Sequence, residues 1–248
     1  MVHIDENEFS YPVPVDFDMY DGSGAFFPSA YLKMTSRVVE AHLPRVELDM
    51  PRLMEKYNVT WVLLALSVEL RRPLTANDHL TARTWHAGSR GTTYRRDIVL
   101  RDEVGEIVAV AATFSAVLDL ATRRVCMDRS ILAQIDLPAG ETLLEASAKF
   151  RDKSVYTEVE RRIARPSWQD GNGHVHNVRY GEFVYDALTE TERLALKGLK
   201  RLDVWFLSEL LPGQEFSVQK CEAEDGGVIV KGVLPQEDKA SFAMKLQW

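Results

Sequence analysis

A short segment in the second half of the chain carries residues that could act on a carbonyl group. Residues 170–180 read D-G-N-G-H-V-H-N-V-R-Y, with a carboxylate, an amide and an imidazole at Asp170, Asn172 and His174. A stretch with amphipathic helical spacing follows directly. The first N–H groups of a helix have no partner within it, so they could polarise a carbonyl oxygen held in the turn. The segment therefore predicts a catalytic site, in which Asp170 orients a side chain or holds a water.

A second carboxylate stands further along the chain in an unusual place. Glu209 follows the apolar-rich run 202–207 and precedes the sequence L-L-P-G. Apolar surroundings raise the pKa of a carboxyl group, which suits a general base. We therefore expect Glu209 to complete a catalytic group with Asp170, Asn172 and His174.

Each of these residues also has a simpler structural interpretation. Asp170 and Asn172 are residue types that form Asx turns, and Asn177 is a residue type that caps helices. His174 would then be a structural histidine with satisfied hydrogen bonds. Glu209 would be an exposed charge at the end of a strand.

The histidines do not form a zinc motif. His174 and His176 are separated by one residue, and no Cys or third His lies nearby in the sequence to complete a zinc-binding set. We expect neither a metal nor a cofactor.

The same arrangement occurs earlier in the chain without its polar chemistry. Residues 21–31 read D-G-S-G-A-F-F-P-S-A-Y, with the same interval from Asp to Tyr as in 170–180. We interpret the chain as a duplication in which only the second copy kept its site. The polar side chains of the later copy are replaced in the earlier one by Ser23, Ala25 and Pro28.

Apolar spacing predicts the same order of elements in both halves. Helices are expected over 29–41 and 178–197, each followed by a series of strands. Strands in direct succession imply an antiparallel sheet, and the Ala-rich segment 108–112 would let a helix lie close against its centre. The predicted strands cover 60–70, 79–85, 92–101, 106–118, 157–166, 202–207, 215–221, 227–233 and 241–248.

One long helix wrapped by an antiparallel sheet, present twice, is the α+β architecture called a tandem double hot-dog fold. Residues 128–155 contain Pro138-Ala139-Gly140 and no sustained periodicity, so we interpret them as a linker. The N-terminal unit then covers 1–127, with the degenerate site, and the C-terminal, catalytic unit covers 156–248.

Composition argues against several classes of protein. The net charge is −7 without a Lys/Arg-rich tract, which argues against general nucleic-acid binding. The longest apolar run, 61–66, is too short to span a bilayer. The first residues lack the features of a secretory signal or transit peptide, so a cytoplasmic protein is expected. Cys126 and Cys221 are expected to be buried thiols without a disulfide.

Adjacent arginines occur four times in the chain. Despite the overall negative charge, they could form a local patch for an acidic partner. Solvated strand faces are the simpler interpretation. The pairs are Arg71-Arg72, Arg95-Arg96, Arg123-Arg124 and Arg161-Arg162.

Several short motifs occur in a specific order along nearly the whole chain. The second half has D-G-N-G-H-V-H-N followed by Tyr180, and Glu209 ahead of Pro212-Gly213. The first half has Asp18 and Asp21, Trp61-Val62-Leu63, Arg72-Pro73, Thr84-Trp85, Arg95-Arg96-Asp97 and Thr122-Arg123-Arg124. In order and spacing these motifs resemble the acyl-acyl carrier protein (acyl-ACP) thioesterase family of bacteria and plant plastids.

The resemblance implies hydrolysis of a fatty acyl thioester on acyl carrier protein (ACP), giving free fatty acid and holo-ACP, within fatty acid biosynthesis. It also implies two hot-dog units, with catalysis in the second and much of the acyl-chain pocket in the first. The partner would be acyl-ACP, and the sequence leaves open whether the chain forms a homodimer.

Carried across by position, the catalytic residues implied by the resemblance are Asp170, Asn172, His174 and Glu209. Asn172, with helix N-terminal amides, would hold the thioester oxygen while Glu209 or Asp170 activates a water. His174 would orient that water or shuttle a proton. Direct attack by a carboxylate, through an anhydride, is equally compatible with the sequence.

Two positions depart from the family pattern. Many plant members have cysteine directly after the glutamate, whereas this chain has Leu210, which excludes a cysteine nucleophile there. His176 stands where the family more often has asparagine, which leaves two histidines beside the site. We expect His174 to be the active one.

Two other functions fit the same residues. A hydrolase of acyl-coenzyme A would use the same carbonyl chemistry with a different docking surface, and a noncatalytic acyl-binding protein would retain only the fold. A hot-dog dehydratase fits less well, because Asp170, Asn172, His174 and Glu209 together match the hydrolytic pattern.

Overall fold

The protein is described here by a computed structural model that covers residues 10–237 and 239–248. The helices are α1 (Pro28–His42), α2 (Met50–Tyr57), α3 (Arg129–Ile135), α4 (Asn177–Ala187) and α5 (Glu190–Ala195). The strands of the first half are β1 (Tyr11–Val13), β2 (Val59–Leu70), β3 (Leu80–Arg90), β4 (Thr93–Arg101), β5 (Ile107–Asp119) and β6 (Arg124–Val125). Those of the second half are β7 (Thr157–Ile163), β8 (Arg201–Phe206), β9 (Glu215–Glu222), β10 (Val228–Leu234) and β11 (Lys239–Gln247).

Within this part of the chain the strands form one continuous antiparallel sheet. Its order is β1-β3-β4-β5-β2-β8-β11-β10-β9-β7, and β6 pairs with β5. The two halves meet where β2 pairs with β8, from Ala65 opposite Trp205 to Glu69 opposite Arg201. The predicted α+β double hot-dog fold is therefore confirmed, while the boundaries of its two units stay a prediction.

The two long helices pack on the same face of this sheet and touch each other. Apolar side chains of both, such as Met34 on α1 and Phe183 on α4, belong to the main buried cluster. Ala109 and Ala111 of the Ala-rich strand lie in the same cluster, as the expected close approach of a helix requires. At the crossing, a Cβ on Gly181 would overlap the backbone N and Cα of Ser29, so only glycine fits.

The helix predicted over 178–197 is wrong in its length, because it is two helices. α4 ends at Ala187, and α5 begins at Glu190 behind a new cap. The Thr189 side chain accepts the N–H of Glu192, and the Glu192 carboxylate accepts the N–H of Thr189, which together form a capping box. The T-x-x-E spacing of this capping box is present in the sequence. The apolar periodicity continues across it, however, and so predicted a single helix.

The segment between the halves is more structured than a plain linker. It contains α3, whose N-cap Asp128 accepts the N–H of Ser130. Further on, it crosses the outer face of the sheet and is held by two indole N–H groups. Trp85 donates to the Glu141 carbonyl and Trp205 to the Ser147 carbonyl, each at 2.9 Å. One tryptophan comes from each half, so the segment binds both.

Two further expectations concerned the burial of the cysteines and the presence of a membrane-spanning segment. Cys126 and Cys221 are both free thiols, but only Cys126 is buried, because the Cys221 side chain on β9 is partly exposed. Among the described residues, no helix combines the length and the apolar character that crossing a bilayer requires.

The interior of the first half contains a cluster of buried polar side chains. The Tyr11 hydroxyl lies 3.2 Å from Nδ1 of His42, and Arg96 and His86 are buried nearby. Burial, together with the neighbouring cations Arg96 and Arg45, lowers the pKa of His42 to about 4. Burial also lowers the pKa of Arg96 to about 10. The folded protein therefore keeps His42 neutral at physiological pH.

The crossing of α1 and α4 gives a first prediction. Gly181→Ala should lower the free energy of unfolding by about 1–3 kcal/mol in spite of alanine's better helix propensity, because the new methyl group forces the helices apart. Gly198→Ala is the matched control, since a Cβ there meets no atom within 4 Å. Chemical denaturation would measure both. A Gly181→Ala protein as stable as the wild type would contradict the close approach.

The neutral His42 gives a second prediction. Between its folded pKa of about 4 and its ordinary value of 6.5, the unfolded chain binds a proton that the folded chain excludes. Stability must therefore fall as pH drops through this window and be fully present above it. From pH 7.5 to 5.0 the wild type should lose about 2 kcal/mol more unfolding free energy than His42→Gln. Equal losses in urea denaturation would show that His42 does not carry this dependence.

Candidate active site

The loop that carries the predicted site is a tight turn held by its own backbone. The N–H of Asp170 donates to the His174 carbonyl at 2.9 Å, and the N–H of Gly173 donates to the Asp170 carbonyl at 3.1 Å. Oδ1 of Asp170 accepts the N–H of Asn172 at 2.8 Å, which is an Asx turn. Gly173 has a φ of +84°, a left-handed conformation that favours glycine. The D-G-N-G-H sequence thus specifies the turn that presents His174.

The first copy folds into the same turn. The N–H of Asp21 donates to the Ala25 carbonyl, and Oδ1 of Asp21 accepts the N–H of Ser23 at 2.8 Å. The other oxygen, Oδ2, accepts the Tyr185 hydroxyl of α4 at 2.8 Å. Burial would raise the pKa of Asp21, but these hydrogen bonds outweigh it and lower the pKa. The turn of the first copy thus forms a structural contact between the two halves.

The structure brings His174 and Glu209 together. Nε2 of His174 lies 3.2 Å from Oε2 of Glu209. The backbone beside Glu209 is fixed by Leu210, which is fully buried and whose carbonyl accepts the N–H of Val175 at 2.8 Å. The segment that follows β8 is thereby attached to the loop that carries His174.

The expectation that Glu209 has apolar surroundings is wrong. Half of its side chain is exposed, at 51%, and its carboxylate faces a cation. The apolar run that precedes it in the sequence is β8, whose buried side chains point into the core while Glu209 lies beyond the strand end. Glu209 is therefore a solvated, paired carboxylate.

Sequence reasoning missed the cation in this pair, which is Arg123 from the first half. Its Nη2 lies 2.9 Å from Oε1 and 3.0 Å from Oε2 of Glu209, and 3.5 Å from Nε2 of His174. Arg123 belongs to the Thr122-Arg123-Arg124 motif, but nothing in its spacing marks it among the chain's cations. Its role depends on a contact between residues that are 86 positions apart.

The ion pair of Arg123 with Glu209 contributes little to stability. Exposed ion pairs contribute about 0–1 kcal/mol, whereas a left-handed backbone at a non-glycine residue costs about 1–2 kcal/mol. Arg123 has a φ of +54° and a side chain that is 58% exposed. The same conformation occurs at Glu47, another exposed charged residue, so the backbone of Arg123 reflects its turn, and the case for a role rests on its contacts with Glu209.

Asp170 and Asn172 stand in the same loop but are not part of the His174–Glu209 contact. One Asp170 oxygen is occupied by the Asn172 N–H, as the simpler interpretation of this residue required. Asn172 is exposed at the tip of the turn. The catalytic roles of all four residues stay predictions.

His176 caps α4, a role the sequence had suggested for Asn177. Nδ1 of His176 accepts the N–H of Val178 at 3.3 Å, and Asn177 is the first residue of the helix. The two histidines therefore make different contacts, since the imidazole that reaches Glu209 is His174. Within residues 10–237 and 239–248, no three His, Cys, Asp or Glu side chains are grouped so as to hold a metal ion.

The hydroxyl of Tyr180, a buried residue of α4, is affected by the charges of both carboxylates. The Tyr180 ring is buried and stacks on Phe242 at 4.7 Å between ring centroids. Burial raises the pKa of its hydroxyl to about 12, and the charges of Asp170 and Glu209 act in the same direction. Both carboxylates therefore lie within electrostatic range of one buried hydroxyl group.

Comparison with known proteins agrees with this architecture. The family model of the acyl-ACP thioesterase N-terminal domain matches residues 6–135 of the chain. A chloroplastic palmitoyl-acyl carrier protein thioesterase of Cuphea hookeriana is 27% identical and aligns over 72% of this chain and 49% of its own length. A chloroplastic acyl-[acyl-carrier-protein] hydrolase of Cuphea viscosissima is 26% identical over the same shares. The chain spans about half the length of these curated relatives.

Solved structures share the fold across nearly all of the chain. An acyl-ACP thioesterase from Bacteroides thetaiotaomicron superposes with a TM-score of 0.81 at 20% identity, covering 98% of this chain and 99% of that one. A 12:0-ACP thioesterase from Umbellularia californica gives 0.77 at 15% identity, with 96% of each chain covered. The family model matches more than half of the residues of this chain, and the chain therefore belongs to the acyl-ACP thioesterase family.

Proposed function

We propose that this protein hydrolyses fatty acyl thioesters carried on ACP and releases free fatty acid and holo-ACP. The observation that carries the proposal is the contact of 3.2 Å between His174 and Glu209, at a turn whose earlier copy in the first half has Ala25 in place of the histidine. Family membership supports the same substrate class.

The geometry favours Glu209 over Asp170 as the carboxylate that activates water. An Nε2–H tautomer of His174 would donate to Glu209 and leave Nδ1 as an acceptor. Oδ1 of Asp170, in contrast, is committed to the Asn172 N–H. Asp170 is then a residue that shapes the turn, and Asn172 presents its amide two positions before the imidazole.

The reaction then follows from these positions. A water held at Nδ1 of His174 attacks the thioester carbon and gives its proton to Nδ1, while Glu209 stabilises the resulting imidazolium through the Nε2–H group. The carbonyl oxygen gains negative charge, which the Asn172 amide would stabilise. The C–S bond breaks, and the leaving thiolate takes the proton from His174. Because Arg123 contacts both oxygens of Glu209, attack by water is favoured over an anhydride.

The first half offers a place for the acyl chain. A cavity of about 70 Å³ lies between the C-terminal end of α1 and the inner face of the sheet. Its wall is largely apolar, with Val39, Leu48, Trp61 and Ile135, while the buried side chains of Arg96 and His86 border it. We propose that the end of the acyl chain is received here, in keeping with the expected acyl-chain pocket in the first unit.

Variants of the pair test the proposed activity. Glu209→Gln and His174→Ala should each lower kcat by about 10²–10⁴-fold on acyl-ACP with folding intact, because a general acid–base group is lost. The measurement is thiol released from a panel of acyl-ACP thioesters. His176→Asn is the matched control and should retain activity, because asparagine is also a good helix N-cap.

The same panel decides between the alternatives. A wild-type protein that hydrolyses no carrier-linked chain would defeat the proposed function, and binding without turnover would identify an acyl-binding protein. A higher kcat/KM on acyl-coenzyme A than on acyl-ACP would assign the other carrier. Full activity of Glu209→Gln would place the chemistry elsewhere.

A further inference from the structure

We propose that Arg123 is a positioning residue that the first half supplies to the catalytic pair of the second half. It would hold the Glu209 carboxylate against His174 while the thioester is hydrolysed. This inference rests on the proposed function and deepens it, because it makes the site a joint product of both halves.

The contacts around Glu209 support this role. In the described part of the chain, the Glu209 carboxylate is paired with Arg123 and His174. A half-exposed glutamate has several rotamers open to solvent. The contacts of Nη2 with both oxygens at 2.9 and 3.0 Å restrict the carboxylate to the rotamer that reaches the imidazole. Loss of the guanidinium would therefore release Glu209 from His174.

Arg123 is itself held on a rigid support. It sits in the turn between β5 and β6, where Oδ1 of Asp119 accepts the N–H and the hydroxyl of Thr122 at 2.7 and 2.9 Å. The N–H of Arg123 donates to the Asp119 carbonyl at 2.8 Å. The left-handed φ of Arg123 then directs the chain back into β6, where Asp119 pairs with Arg124. Such a turn can place a long side chain with little freedom at its base.

The position of this turn explains how it reaches the other half. β5 pairs with β2 along most of its length, and β2 pairs with β8, beyond whose end Glu209 lies. On this proposal the later half does not assemble the catalytic site alone. His174 and Glu209 belong to the second half, and the cation that fixes them belongs to the first.

A direct contact with the substrate is the competing role for Arg123. An exposed guanidinium beside the site could instead bind the phosphate of the carrier's thiol arm. The two roles predict different kinetic effects. A positioning residue acts on kcat, whereas a substrate-binding residue acts on KM and on the affinity for the carrier.

The test compares Arg123→Met and Arg123→Lys with Arg124→Ala in the full-length protein. Arg124 is the exposed neighbour on β6 and serves as the matched control. Arg123→Met should lower kcat by about 10–100-fold with KM nearly unchanged, because a small displacement of a catalytic carboxylate is enough for such a loss. Arg123→Lys should recover part of kcat, since it restores the charge without the planar geometry. Arg124→Ala should match the wild type.

Binding of a non-hydrolysable acyl-ACP amide analogue separates the two roles. An unchanged Kd in Arg123→Met, with thermal unfolding also unchanged, supports positioning. A weakened Kd with normal kcat overturns it in favour of substrate binding. If Arg123→Met had normal kcat, KM and Kd while Glu209→Gln was inactive, the inference about Arg123 would be overturned and the proposed function would stand. A wild type without thioesterase activity would defeat the proposed function first, and the inference with it.

Discussion

The pairing of β2 with β8 is the interaction on which the rest of the molecule depends. It merges the sheets of the two halves into one, with Ala65 opposite Trp205 in a fixed register. A slip of one residue would turn every side chain of a strand to the opposite face, so the buried inner face holds the register in place. Arg123 follows β5, a neighbour of β2, and Glu209 follows β8. Their distance is therefore set by the sheet rather than by local sequence.

The duplicated turn shows how one backbone serves two purposes. Asp21 and Asp170 each accept the N–H two residues further on, and each turn closes through a glycine with positive φ. The first copy carries Ala25 where the second carries His174. Without an imidazole to present, the first turn instead joins the halves through the hydroxyl of Tyr185. The fold of the turn is thus independent of its chemistry.

Charges are distributed differently in the two halves. In the first half His42 and Arg96 are buried, and burial shifts the pKa of each toward its neutral form. The pair of His174 and Glu209 lies at the surface, where water screens its interactions. In the proposed reaction, a substrate that covers this surface would exclude the water and strengthen each of these contacts.

The sequence by itself determined the double hot-dog architecture, most strand positions and the loop that presents His174, because these depend on local periodicity, turn residues and an internal repeat. It also selected Glu209 as its partner, though for surroundings that turned out to be solvated. Local patterns did not specify the break between α4 and α5, because the apolar period continued through the cap at Thr189. Only the tertiary structure decided the role of Arg123, since its contact with Glu209 depends on the junction of two sheets and leaves no local spacing in the chain.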